Sequence, residues 1–591
     1  MEPSEELLLG RRRLEGIVGY ELLEDLSWNQ KAEKWVFKFR LIGDYAATDW
    51  VPVATTWWCL VSHQYPFGEL EIYPDAEQGI KVTFPHMTFN EESNKPWRTG
   101  NICVKTSLGI WGKAFFNSEP FDAGTRMHWT IKRAQSWITA AAENRLVAEG
   151  DPFELPPFPT RVSTVWVSNE TKAAYQIWEN SPVQDGLVHW RRPDFNREIA
   201  AVLEFKSVHE PVVKTEWGSA IHNSKGSEGV GLWVRLPGIP VKAPWQIPQT
   251  WRELFDVCSA MGLDLRSLLV KQLAEKKMMG KATLLALGFP VSERFGEASC
   301  RMHWFAAQLD VPLVKAGFRT DNIERRKFQT NVMFRDSASI KWLQTENWAK
   351  DQITSRGNLT GPIEAMNILL VGAGALGSSL AELLVRLGCE KITIVDGDTL
   401  SVGNFSRHTL DMTSLPFLKA PELAQRLNSI FPFVNVSFKV GTLEECFQKE
   451  PSFFDAFDLI IDATANNMVL MLLGRELKNK NKIVVSLSTS LEAKRLYCYM
   501  VRTATFEIMD NFDALMKPWH QKQKDEKPNP VFPLEGIGCW HPVFPARLDD
   551  LLGVLSPSIR QIEGFLQRQD EHCLAVIERK EDGGLQIVKT Q

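Results

Sequence analysis

The residues best placed to do chemistry form a glycine turn between an apolar strand and a helix. Asn367-Ile-Leu-Leu-Val371 reads as a short buried strand, Gly372-Ala-Gly374-Ala-Leu-Gly377 follows without a spacer, and Ser378 to Leu387 reads as a helix. That order suits a phosphate cradle. Gly372 and Gly374 allow a tight turn and close backbone approach to phosphate. Gly377 lets helix and strand pack closely, and the helix N-terminus offers N–H groups to an anion. The next strand, Lys391-Ile-Thr-Ile-Val395, ends in Asp396, where a ribose hydroxyl pair would lie. By themselves these features fit an NAD-dependent oxidoreductase as well as an ATP enzyme.

Downstream residues separate the two. Asp396-Gly-Asp398 continues to Asn404-Phe-Ser-Arg407-His, then Lys419-Ala420 and, after the strand Leu459-Ile-Ile461, Asp462-Ala-Thr. In this order the segment from about residue 360 to 490 resembles the ThiF-like adenylating family, to which the ubiquitin-activating enzymes belong. The resemblance implies ATP and Mg2+. Attack of a carboxylate on the α-phosphate brings two anions together, so the site must supply positive charge; Arg407 and Lys419 are the candidates. Asp462, at a strand end, is the candidate Mg2+ ligand, and Asn404 would orient the nucleotide. The competing reading makes Arg407 and Lys419 solvated surface charges and Asp462 a helix cap. No Cys-x-x-Cys pair occurs, which sets the chain apart from sulfur-carrier activators that hold zinc.

Two cysteines could carry acyl groups, a task that needs an accessible thiol with thiolate character. Gly100-Asn-Ile-Cys103 closes a β-rich region whose segment from about residue 15 to 150, with Tyr65-Pro-Phe-Gly and Thr83-Phe-Pro-His86-Met-Thr-Phe-Asn90, resembles ubiquitin-conjugating enzymes. That family's His-Pro-Asn lies close before its cysteine; here Pro85-His86 is reversed and farther away, so His86 and Asn90 are both open as polar supports. The second candidate is Cys539 in Gly536-Ile-Gly-Cys-Trp-His541-Pro, a glycine- and proline-flanked loop in which His541 could lower the thiol's pKa. Its competitor, Cys498, stands in the strand-like Leu496-Tyr-Cys-Tyr-Met-Val501.

The elements that must hold these groups divide the 591 residues, too many for one core, into three regions. Strands are predicted at 35–42, 51–61, 70–73 and 80–84, with a closing helix from Arg126 to Val147. The proline-dense Gly150 to Pro159 marks a boundary. Residues 160–350 mix strand-like runs such as Gly231 to Leu236 with helix-like runs such as Ser267 to Leu287, and show no catalytic constellation. Alternating strands and helices from Asn367 onward predict a doubly wound parallel sheet. The expected fold is therefore multidomain α/β and α+β: a ubiquitin-conjugating-like domain (1–159), a middle α+β docking or spacer region (160–350), and a Rossmann-like ThiF adenylation domain with a cysteine loop (351–591).

A net charge of −5 with no long basic block argues against capture of nucleic acid or anionic lipid. No apolar stretch reaches the ~20 residues of a bilayer span, no signal peptide is recognisable, and the nine scattered cysteines do not form a disulfide framework, so a cytoplasmic location is expected.

The order of domains resembles the bacterial fusion enzymes of CBASS antiphage systems. That resemblance implies adenylation of the C-terminus of a partner nucleotidyltransferase (CD-NTase), thioester relay through Cys539 and then Cys103, transfer to an unknown amine, and a homodimer formed through the activating-like domain. A nicotinamide oxidoreductase and a non-catalytic nucleotidyltransferase adaptor are the alternatives.

Overall fold

The computed structural model describes residues 2–104, 119–157, 159–160, 162–207, 210–275, 282–310, 323–359, 361–478, 480–503, 508–532, 544–568 and 570–590. They form two compact units, one of residues 1–192, 196–214 and 228–346 and the other of residues 193–195, 215–227 and 347–591.

The first unit begins with an antiparallel meander of β1 (Tyr20–Asn29), β2 (Lys34–Ile42), β3 (Ala54–Ser62) and β4 (Leu70–Pro74). Alternation along β2 puts Trp35, Phe37, Phe39 and Leu41 in one core. The helix Arg126–Ala142 lays Met127, Ile131, Ala134, Ile138 and Ala141 against them at helical spacing. Each large apolar side chain so buried contributes roughly 1.5–3 kcal/mol. The helix stops short of the expected Val147, because Asn144 takes a left-handed φ of 54°.

Residues 80–84 form no strand. Asn90 Nδ2 donates to the carbonyls of Ile80 (2.9 Å) and Val82 (3.0 Å), and the Thr83 N–H donates to Gln246 Oε1 (2.9 Å). Side chains thus take the backbone groups that a ladder would have used.

The rest of this unit is a mixed sheet of β5 (Val165–Ser168), β6 (Asp185–Arg192), β7 (Ile199–Lys206), β8 (Pro211–Lys214), β9 (Ser227–Arg235), β10 (Ala282–Val291), β11 (Arg301–Gln308), β12 (Lys341–Trp342) and β13 (Gln344–Asn347). Its order is β12-β11-β10-β9-β6-β7-β5-β13, with β8 on β7. The helix-like reading of 267–287 fails in its second half, where β10 begins. Leu285, Leu287 and Phe289 face a core with Trp251 and Trp342, while Leu284 and Ala286 face one built from Trp166, Trp178, Trp233 and Trp304. A strand buried on both faces reads as a continuous apolar run, which periodicity cannot tell from helix. The proline-dense stretch is pinned to this region: Gly150 N–H donates to Phe295 O (2.9 Å) and Phe153 N–H to Glu293 O (3.0 Å).

The second unit is a three-layer structure around β14 (Asn367–Val371), β15 (Lys391–Asp396), β16 (Asn435–Val440), β17 (Leu459–Asp462), β18 (Ile483–Thr489), β19 (Arg495–Arg502), β20 (His572–Arg579) and β21 (Leu585–Thr590). The order is β16-β15-β14-β17-β18-β19-β20-β21; the pairs from β16 to β18 are parallel and those from β18 to β21 antiparallel. Ile368 and Leu370 face a core with the helices Ala375–Arg386, Lys419–Asn428 and Leu548–Gln567, and Leu369 and Val371 face one with Asn467–Glu476 and Ile508–Glu526. The strand order reverses between β14 and β17, which opens a crevice at the carboxyl ends of those strands, where open α/β sheets bind ligands. Among the described residues, no helix is long and apolar enough to cross a membrane.

Candidate active site

Gly372 leaves β14 with φ at +93°, a region that favours glycine, and a Cβ there would stand 2.9 Å from Thr464 Cγ2. A Cβ on Gly377 would stand 1.9 Å from the Gly372 carbonyl oxygen. The protein's own packing therefore demands two of the three glycines. Around Gly374 a Cβ would meet nothing within 4 Å, although the helix starts at the next residue. Open space at that helix N-terminus is what a phosphate would fill.

Asp396 braces the turn from the end of β15. Its Oδ2 accepts from the Ala373 N–H at 2.6 Å and its Oδ1 from the Asp398 N–H at 2.8 Å. One acceptor direction remains on each oxygen.

His408 was not singled out by sequence reasoning, since a lone histidine beside an arginine carries no spacing signal. It is 7% exposed, and Nε2 lies 2.6 Å from the Ala373 carbonyl oxygen while Nδ1 accepts from the Leu410 N–H at 3.0 Å. Those partners require the neutral ring with its proton on Nε2. Burial holds its pKa below the usual histidine value, and the positive charges of Lys419 and Arg426 add to the effect. The ring thus ties the 404–410 loop to the glycine turn.

Lys419 is the first residue of its helix and is buried, with Nζ 3.0 Å from the exposed Asp398 carboxylate. An exposed partner of this kind is cheap to exchange for a phosphate. The Arg407 guanidinium donates to the Phe544 carbonyl, the first described residue after the Cys539 segment. Asn404 Oδ1 accepts from Ser401 N–H (3.0 Å) and Oγ (3.2 Å), so its carbonyl end caps its own loop.

Asp462 faces Val371 across the β17–β14 ladder and Ser486 across the β17–β18 ladder, and it is 1% exposed. Oδ1 accepts from the Thr464 N–H (3.0 Å) and hydroxyl (2.6 Å), and Oδ2 from the Ser486 hydroxyl (2.9 Å). Burial nevertheless raises its pKa, because those donors do not replace the lost water. Ala465, just beyond, is held at φ +54°. A cavity of about 260 Å³ opens beside the carboxylate, with Asn466, Ser486, Ser488, Tyr497 and His520 in its walls. The structure therefore joins the glycine turn, Asp396 and His408 by hydrogen bonds, places Asp462 at the end of the neighbouring strand β17, and links Lys419 through Asp398.

Comparison with known proteins places the chain in a family. Residues 144–348 match the Cap2 central linker domain and residues 352–568 the ThiF family. The chain is 32% identical over 543 residues to the ATP-dependent ubiquitin transferase-like protein Cap2 of Enterobacter hormaechei, spanning 89% of this chain and 88% of that one. The chain belongs to the Cap2 family. More distant similarity is confined to shorter stretches: 34% identity over 134 residues to the adenylyltransferase and sulfurtransferase UBA4 of Kluyveromyces lactis (22% of this chain, 30% of that one), and 32% over 120 residues to the Nedd8-activating enzyme E1 regulatory subunit of Drosophila melanogaster (20% and 23%). A solved structure of Escherichia coli MccB with ATP, at 12% identity and a TM-score of 0.27 over 39% of this chain and 64% of that one, is too remote to add to the argument.

For a Cap2-family chain the cysteines decide what can follow adenylation. Cys539 and His541 lie outside the described residues. Cys498 is fully buried on β19, where desolvation pushes its thiol far up, so it is a core residue. Cys59, Cys258, Cys389 and Cys573 are buried too, and Cys103 is the exposed cysteine among the described residues. Its N–H donates to the His86 carbonyl at 2.8 Å. Asn90, expected as a polar support for Cys103, is spent elsewhere: besides the two carbonyls above, its Oδ1 accepts from Arg98 Nε at 3.1 Å. It braces the loop of residues 80–98.

Proposed function

We propose that this Cap2-family chain activates the C-terminal carboxylate of a protein as an acyl adenylate, carries the acyl group as a thioester on Cys539 and then Cys103, and conjugates it to an amine. The observation that carries the reading is that an open helix N-terminus at Gly374 and the buried carboxylate of Asp462 follow adjacent parallel strands at the sheet's switch point. In the first step a substrate carboxylate oxygen bonds the α-phosphorus of ATP and pyrophosphate leaves. The Cys539 thiolate then bonds the acyl carbon and AMP leaves. The Cys103 thiolate displaces Cys539, and finally an amine displaces Cys103 and gives up a proton to form an amide.

Asp462 suits a divalent cation, because its burial disfavours the bare anion and a cation in front would supply the missing countercharge. Mg2+, when bound, supplies positive charge at the phosphates and typically takes only one or two protein carboxylates. Lys419, once released from Asp398, and Arg407 are the side chains to counter the rest of the phosphate charge; Asp396 would receive the ribose hydroxyls on its remaining acceptor directions. The glycine turn is the sole support for the nicotinamide alternative, and a docking adaptor would have no use for a buried Asp462.

The substrate we favour is the C-terminus of a CD-NTase within a CBASS antiphage system, which rests on the resemblance in domain order. A homodimer through the activating-like domain follows from the same resemblance, and the exposed Val402, Met412 and Phe417 on that unit give it an apolar surface to bury. The cytoplasmic location we favour rests on the sequence's apolar patterning and cysteine usage. The test is non-reducing electrophoresis with mass spectrometry after incubation with ATP and a CD-NTase. Cys539→Ala should keep substrate-dependent ATP–pyrophosphate exchange but form no thioester, and Cys103→Ala should still load Cys539. Normal conjugation by both variants would end the relay.

A further inference from the structure

One histidine fixes the main chain beside Cys103. His86, whose carbonyl accepts from the Cys103 N–H at 2.8 Å, neighbours the bridge between Met87 and Ile102. Its φ of +57° lies in the left-handed region, which a non-glycine residue holds only when its surroundings impose it. Glu154, from the proline-dense stretch, imposes it twice. Glu154 Oε1 accepts from the His86 backbone N–H at 3.0 Å, and Oε2 lies 2.8 Å from Nδ1. The imidazole also bonds the Leu146 backbone, and Asp151 adds negative charge nearby; the titratable groups facing the ring are thus Glu154 and Asp151, both acidic. Residues 150–153 are in turn tied to the β10–β11 turn through Phe295 and Glu293. The His86 ring therefore joins the loop beside Cys103 to the stretch that is tied to the middle sheet, and the His86 backbone carbonyl holds the Cys103 N–H.

We propose that His86, clasped by Glu154, is the positioning residue for Cys103: the charged imidazole locks the left-handed turn that orients the cysteine for receiving and discharging its acyl group. This rests on the relay reading above. In the transfer the Cys103 sulfur bonds the acyl carbon while the bond to Cys539 breaks; the Cys103 proton goes to solvent and His86 exchanges none.

The hydrogen bond to Glu154 raises the His86 pKa above its usual value against the opposing effect of burial. The ion pair is therefore complete below about pH 6.5 and is lost as pH rises through the raised value. A packing role would lack that dependence.

The experiment compares the full-length chain with Glu154→Gln and with His86→Asn, a residue that tolerates the left-handed region. Two rates are read at about pH 6 and about pH 8.5: hydrogen exchange of the Cys103 amide, corrected for intrinsic exchange, and single-turnover acyl transfer onto Cys103. At the lower pH both variants should exchange the amide about 5-fold faster and transfer about 5-fold more slowly than wild type, and at the higher pH both ratios should approach one. Amide ratios that are equal at both pH values, or that stay at one, overturn the proposal. If the amide ratios behave as expected while wild type never acylates Cys103, the clasp stands as a device that orders this main chain and the relay reading falls.

Discussion

Asp462 stands opposite Val371 in the parallel ladder between β17 and β14, so its carboxylate leaves the sheet one residue from where Gly372 opens the turn. Each strand ends in the group that the crevice needs. Because the strand order reverses between these two strands, the helices that follow them, Ala375–Arg386 and Asn467–Glu476, pack on opposite faces of the sheet.

That position gives Asp462→Asn an unusual pair of consequences. Substrate-dependent ATP–pyrophosphate exchange should fall ~10²–10³-fold. The folded protein without ligands should become more stable at pH 7, since burial raises the carboxyl's pKa and ionisation therefore costs stability as pH rises through that value. Thermal melting at about pH 7 should show the gain, and melting near pH 3, where the acid is protonated in both states, should show little.

Gly377→Ala and Gly374→Ala should separate packing from ligand binding. The first puts a Cβ 1.9 Å from the Gly372 carbonyl and should cost at least ~2–3 kcal/mol in denaturant unfolding. The second meets nothing within 4 Å and should change stability by less than ~1 kcal/mol, yet weaken ATP binding about 10-fold in calorimetry.

His408 should make the second unit acid-sensitive. Its pKa is held below the ordinary histidine value by burial, so the stability it contributes is complete above about pH 6.5 and is lost as pH falls through the depressed value. Melting from pH 7 down to about pH 5 should show that loss. His408→Gln, which can still donate toward Ala373, should flatten that part of the profile.

Much of this site was legible in the residues. The glycine turn, its flanking elements and Asp462 could be read because an apolar strand, tight turn and helix need particular residue types in a particular order. His408 could not, because its bond to Ala373 joins residues 35 apart whose meeting depends on the packed loop. Asn404 and Asn90 were given to ligands and thiols, yet their amides serve their own loops, a role that asparagine fills as readily as function. The sheet of the middle region hid for a different reason. β10 is buried on both faces, and its Leu284-Leu-Ala-Leu287 has no polar side to reveal its period.

The helix Ile508–Glu526, which leads toward Cys539, is pinned at its end by an ion network. Arg495, 1% exposed, donates to Glu526 Oε2 at 2.7 Å and to Glu578 Oε1 at 2.8 Å, and Arg495 holds the Glu526 pKa down at about 2. That contribution is present above the ordinary glutamate range and is lost as pH falls toward about 2. Glu526→Gln should speed protease cleavage after the helix and slow Cys539 loading by about 10-fold, while exchange of pyrophosphate stays within about 2-fold.

The central claim is that one crevice makes a mixed anhydride for a sulfur to capture, and substrate-dependent ATP–pyrophosphate exchange reads it most directly. With a CD-NTase bearing its intact C-terminus, wild type and Cys539→Ala should both exchange, Asp462→Asn should exchange ~10²–10³-fold more slowly, and removal of the CD-NTase's last residues should silence wild type and Cys539→Ala alike. Exchange by Asp462→Asn at the wild-type rate, or no exchange by wild type with the intact partner, would contradict the account.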